Sequence, residues 1–192
     1  AETADAVIRQ LKAGGDFIAV APFIYLIAGS VTAKAFGSNL SGVATNTAKA
    51  DASVSITAGK MIAITAAGVD ASVSLSARDA NASAYTKGNG ADTPSGTQVA
   101  SATSNLTLSA GTGITISEFD TTGATAGAIY LNGGSAHAKA FQQALGSNNT
   151  VGGNTTATAT ANLSLKTSVG DITIADGGVG GADLYVRHDN DH

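Results

Sequence analysis

The sequence predicts an all-β chain, a right-handed parallel β-solenoid (β-helix), on three observations. Small and apolar residues dominate its composition. Apolar residues alternate at period two. The alternating segments recur at spacings of 52 to 57 residues. Of 192 residues, 43% are hydrophobic and only 12% charged, which sets the chain apart from a disordered one. The abundance of Ala, Ser and Thr points to a core of small side chains. Each such side chain contributes little transfer energy, roughly 25 cal/mol per Å² of apolar area, so stability must come from regular backbone hydrogen bonds and close layering. Stacked strands provide both. A β-sandwich made of the same strands is the alternative fold.

At the N-terminus, residues 1–15 carry the only helix-like spacing. Thr3 is placed to cap a short helix bearing Val7, Ile8 and Leu11, stopped by Gly14-Gly15. The run from Phe17 to Ile27 is the most apolar stretch, but it contains Pro22 and is shorter than the ~20 residues that span a bilayer. It reads as buried strand, not as a membrane insertion.

Residues 16–187 read as one repeat-built β domain: a partial repeat over 16–50, repeats over about 51–103 and 104–160, and a partial repeat over 161–187, followed by a polar tail at 188–192. Ile24-Tyr25-Leu26 with Ala33-Lys34-Ala35-Phe36 recurs as Ile129-Tyr130-Leu131 with Ala138-Lys139-Ala140-Phe141, every position displaced by 105. Val54-Ser55-Ile56 recurs as Leu106-Thr107-Leu108 and Leu163-Ser164-Leu165, at displacements of 52 and 57. Each unit therefore holds a long strand (Ala48 to Ile56 and equivalents) and an Ile62/Ile64 strand. A Val73/Leu75 strand follows, equivalent to Ile129/Leu131 and Leu184/Val186, and then an alanine strand, Ala80 to Tyr85, equivalent to Ala136 to Phe141. Gly- and Asn-rich clusters such as Lys87-Gly88-Asn89-Gly90 supply the turns. Parity turns the alanines inward. Phe36, Tyr85 and Phe141 face outward, as do Tyr25, Tyr130 and Tyr185. With coils of roughly twenty-odd residues, each unit is expected to supply about two coils.

The segment Ser53-Val54-Ser55-Ile56-Thr57-Ala58-Gly59-Lys60-Met61-Ile62-Ala63-Ile64-Thr65, echoed from Asn105 to Ile116, resembles the repeats of filamentous-haemagglutinin-type adhesins and other large repetitive bacterial surface proteins. The resemblance covers most of residues 16–187. It implies a solenoid fold, export and an adhesive or structural role, and assigns no functional residue. A chain that begins at Ala1 without Met fits removal of a signal peptide, so an extracellular or cell-surface location is expected.

The first recognisable strand, Ile24-Tyr25-Leu26, and the last, Leu184-Tyr185-Val186, are equivalent positions of the repeat, so two copies could continue one another. The expected function is a structural subunit of an extracellular filament or surface layer, self-associating head to tail by strand stacking or strand donation. The interface would comprise Phe17, Ile18, Val20, Phe23, Ile24 and Leu26 at one end, and Leu184 and Val186 at the other. The alternative is a monomeric carbohydrate- or surface-binding adhesin module. In that case the aromatic ladder of Tyr25, Phe36, Tyr85, Tyr130, Phe141 and Tyr185 would hold a cell-surface glycan.

No enzyme, cofactor or metal is expected. The chain has two Glu (Glu2 and Glu118) and three His (His137, His188 and His192), and the Asp residues mostly flank turns, so no catalytic pair stands out. The tail His188-Asp189-Asn190-Asp191-His192 could hold a divalent metal but reads first as a solvated end. Absence of Cys excludes disulfides and thiolate sites, and a net charge of −4 gives no reason to expect nucleic acid. Sequons at Asn105 and Asn162 lie on the outward parity of predicted strands.

Overall fold

The computed structural model describes residues 9–38, 42–43, 45–89, 94–121, 127–145, 152–176 and 183–191. Every regular element among them is a β-strand. The strands fall into four tiers. The first holds β1 (Arg9–Ala13), β2 (Phe17–Ala21), β3 (Phe23–Ile27), β4 (Val31–Ser38) and β5 (Gly42–Val43). The second holds β6 (Asn46–Asp51), β7 (Val54–Ala58), β8 (Met61–Gly68), β9 (Ser72–Ser76), β10 (Ala80–Asn89) and β11 (Pro94–Ser95). The third holds β12 (Thr97–Ala110), β13 (Gly113–Asp120) and β14 (Ala128–Leu145), and the fourth β15 (Asn154–Thr167), β16 (Ile172–Asp176) and β17 (Asp183–Asp191).

Equivalent strands of successive tiers pair side by side, and among the described residues all pairings are parallel. The first sheet runs β1-β7-β12-β15, with β6 beside β12; the second runs β2-β8-β13-β16. In the third, β14 joins β9 and β3, β10 and β4, and β17; β5 and β11 form a short ribbon. The antiparallel pairing of an immunoglobulin-type sandwich does not occur among the described residues.

Register confirms the columns read from the sequence. Val54, Leu106 and Leu163 face one another, as do Ile62, Ile114 and Ile172, and Val73, Ile129 and Leu184. Neighbouring partners lie 45 residues apart at the nearest (Arg9 to Val54) and 58 at the farthest (Ile114 to Ile172). One repeat unit is therefore one tier, and the expectation of two coils per unit is corrected. The strands of a unit do not stack on each other but turn from sheet to sheet, and each meets its own counterpart in the next unit.

Inward side chains form two cores. Val54, Ile56, Ile62, Ile64, Val73 and Leu75, with their third-tier counterparts, fill the space enclosed by the three sheets. Beyond it the early part of the first sheet lies face to face with the late part of the third, and apart from Val31 the buried apolar contact there is made of alanines such as Ala50, Ala82, Ala84 and Ala102. Ser104 stands where the two cores meet. Its single hydroxyl proton has the carbonyls of Arg78 (2.6 Å) and Gly133 (2.9 Å) within reach as acceptors, so this buried polar side chain is satisfied between the cores. Deeper in the alanine layer, the Asn46 amide donates to Gln98 Oε1 and to Thr86 Oγ1, both at 2.9 Å. At the corner between the first and second sheets the second and third tiers require glycine, because a Cβ on Gly111 would strike the carbonyl of Gly59, and one on Gly59 that of Gly14.

The N-terminal helix is not observed. Residues 1–8 lie outside the described residues, and Arg9–Ala13 is strand β1, with Leu11 opposite Ile56. An isolated short helix is marginal in water, whereas a strand here pairs with the edge of β7. The Phe17–Ile27 run is likewise not one buried strand but two half-buried ones, β2 and β3, separated at Pro22 between sheets. The stretch expected as a polar tail is also strand, since β17 continues to Asp191, opposite His137; His192 lies outside the described residues.

Candidate functional site

Three surfaces gather the residues that the sequence singled out. The first is the pair of tier ends. Phe17, Ile24 and Leu26 point inward but are only partly buried, because among the described residues no tier covers their second side; Leu163, Leu165 and Ile174 are in the same position at the opposite end. Their counterparts within the stack, such as Ile62, Val73, Leu106 and Ile116, are at 0% exposure. Leu163, Leu165 and Ile174 were not among the expected interface residues, although the repeat columns contain the signal. Leu184 and Val186 hold the expected register against Ile129 and Leu131.

The second surface is an apolar patch on the outside of the first tier. Ile18 and Val20 are 63% and 69% exposed, at positions where the second tier carries Ala63 and Thr65. Phe23, on the next strand past Pro22, is also exposed and stacks on Tyr25 at 6.3 Å between ring centroids. The expected interface set is thus divided: Phe17, Ile24 and Leu26 turn into the core, while Ile18, Val20 and Phe23 face outward. All of them belong to strands paired within the chain, since β2 lies on β8 and β3 on β9.

The third surface is the aromatic ladder. Phe36, Tyr85 and Phe141 occupy one register column, with centroid separations of 4.5 Å and 4.9 Å, and the Tyr85 and Phe141 planes are 2° apart. Lys139 Nζ lies 5.1 Å from the Phe141 centroid and Lys87 Nζ 5.9 Å from that of Tyr85. Tyr85 and Phe141 turn their faces to one another and Phe36 leans on Tyr85 at 38°, which suits holding tiers together better than offering a flat platform to a sugar. Replacing Tyr85 with alanine removes both ring contacts and is expected to destabilise the fold by about 1–3 kcal/mol, while Tyr85→Phe stays close to wild type. Denaturant titration of the two variants checks this.

The tyrosine series differs. Tyr25 and Tyr130 are separated by Ser74, so they do not touch through a continuous column, and Tyr185 lies at the next register position after Tyr130. The Tyr25 hydroxyl instead bonds to Ser72 Oγ at 2.9 Å. The sequon residues Asn105 and Asn162 also form a rung, Asn162 Nδ2 donating to Asn105 Oδ1 at 3.1 Å.

Glu118 is fully buried, its carboxyl packed where a Cβ on Gly127 would have to sit. Sequence reasoning did not single it out for burial. Among the described residues no group of three His, Asp or Glu is placed to hold a metal ion, and no helix is long and apolar enough to cross a membrane. Comparison with protein families, curated proteins and solved structures finds no match to this chain.

Proposed function

We propose that this chain is a structural subunit of an extracellular filament or surface layer, a parallel β-solenoid that associates end to end by strand stacking. One observation carries this proposal: among the described residues the core is left partly uncovered at both outer tiers, with Phe17, Ile24 and Leu26 only partly buried on one cross-section and Leu163, Leu165 and Ile174 only partly buried on the other. The two cross-sections share a repeat pattern. Seating the fourth tier of one copy on the first tier of the next would bury both and pair the edge strands, extending every sheet across the junction. Such a contact joins two different surfaces and generates an open filament. Stacking is favoured over strand donation because β2 and β3 are already paired within their own chain. The sequence resemblance to repetitive bacterial surface proteins supports export and an adhesive or structural role.

The test is Leu165→Lys. An inward charge on the last tier is tolerated in the free subunit, where the side chain can reach solvent through the open end, but is buried on stacking. Sedimentation velocity should show concentration-dependent growth for the wild type and a single slow species for the variant. Identical assembly of the two proteins would rule the tier ends out as the contact.

A further inference from the structure

The outer face of the third sheet carries a trough that end-to-end assembly does not use and that borders the aromatic ladder, sharing Lys139 with it. Its central strands, β9 and β10, present small polar residues where the flanking strands present large ones. In register, Ser74 lies between Tyr25 and Tyr130, and Ser76 between Ile27 and Asn132. Farther along, Asn81 lies between Thr32 and His137, and Ser83 between Lys34 and Lys139. The walls stand two strand spacings apart, about 10 Å, and the stacked rings of Phe36, Tyr85 and Phe141 close one end.

Two depressions lie along the trough. One, of about 400 Å³, is lined by Ile27, Ser74, Ser76, Arg78, Tyr130 and Asn132. The other, of about 270 Å³, is lined by Lys34, Asn81, Ser83, His137 and Lys139, with no carboxylate among its described lining residues. Three of the ten Lys and Arg residues of a chain with net charge −4 thus converge on one face. The nearby carboxylate of Asp79 accepts a hydrogen bond from Ser135 Oγ at 2.8 Å, and Asp191 holds the register position beside His137.

We infer that this trough binds a linear acidic polysaccharide. Carboxylates along the chain would meet Lys34, Lys139 and Arg78, in the charge-assisted geometry that gives the stronger hydrogen bonds. Sugar rings would lie against Tyr130 and Ile27, and sugar hydroxyls would meet the floor of Ser74, Ser83 and Asn81. Cations at one depression and an aromatic wall at the other, over a hydroxyl- and amide-bearing floor, match a polymer whose rings carry both charge and hydroxyls. The site is on the side of the stack, so it goes beyond end-to-end assembly and does not depend on it.

Affinity electrophoresis in gels containing polygalacturonate, with neutral dextran gels as reference, tests the inference. The wild type should be retarded by polygalacturonate relative to dextran, and the retardation should fade as salt rises. The double variant Lys34→Ser/Lys139→Ser places in the flanking tiers the residue already accepted at position 83, so it should fold while losing affinity roughly tenfold or more. Ser74→Tyr fills the gap between Tyr25 and Tyr130 and should also weaken binding. Equal wild-type mobility in the two gels, or wild-type retardation of both variants, would overturn the proposal.

Discussion

Truncating Leu108 to alanine is expected to lower the free energy of unfolding by about 2–5 kcal/mol. Leu108 is at 0% exposure in the third tier, in register with Ile56 below and Leu165 above, and it packs in the larger of the two cores. A hole there cannot be closed by one strand moving inward. Each strand is hydrogen-bonded to neighbours whose own side chains fix the spacing, so relaxation is limited and the cavity term stays large. Since domain stabilities are about 5–15 kcal/mol, the loss should be evident as an earlier denaturant midpoint. The same truncation at Leu165, which is already partly exposed at the tier end, should cost markedly less.

The opposite substitution has the larger effect in the alanine layer. Ala102→Leu should destabilise the fold by about 3 kcal/mol or more, at or beyond the upper end of usual overpacking costs. Ala102 is 1% exposed, aligned with Ala50 and Ala159, and belongs to the cluster that includes Ala82, Ala84 and Ala136. A leucine there must push two sheets apart, and doing so breaks methyl contacts in adjacent tiers as well. Thermal unfolding followed by circular dichroism should show a lower midpoint than for Ser101→Leu, whose side chain points outward from the neighbouring position. The two cores therefore make opposite demands: one suffers from lost volume, the other from added volume.

Much of this arrangement is legible in the residues themselves. Period two separates Ala100 and Ala102 from Ser101 and Thr103, and the recurrence of Val54-Ser55-Ile56 places its equivalents in one column, as the register bears out. Parity also gives the outward column of Phe36, Tyr85 and Phe141. The number of residues per tier was not legible, because a repeat fixes which strands are equivalent and not how many corners the chain turns before meeting its counterpart. At the N-terminus, Val7, Ile8 and Leu11 allow a helical pattern, while the pairing of β1 with β7 is a long-range choice that local spacing does not contain. The trough escaped notice for a related reason. Ser74 and Ser83 are ordinary outward serines until the tiers align and set them between Tyr25 and Tyr130, and between Lys34 and Lys139. The candidate interface was half legible: apolar residues of the first tier stood out by density, whereas Leu163, Leu165 and Ile174 look like core until the stack ends beside them.

End-to-end stacking also sets the direction of every strand relative to a fibre. Strands would lie across the fibre axis, and their spacing would continue through each junction between copies. Fibre X-ray diffraction of the concentrated wild-type protein tests this most directly. The expected result is a reflection at about 4.8 Å along the fibre axis, from filaments that Leu165→Lys does not form. A wild-type protein that remains a monomer of 18.7 kDa at the highest soluble concentration, and gives no oriented reflection, would contradict it.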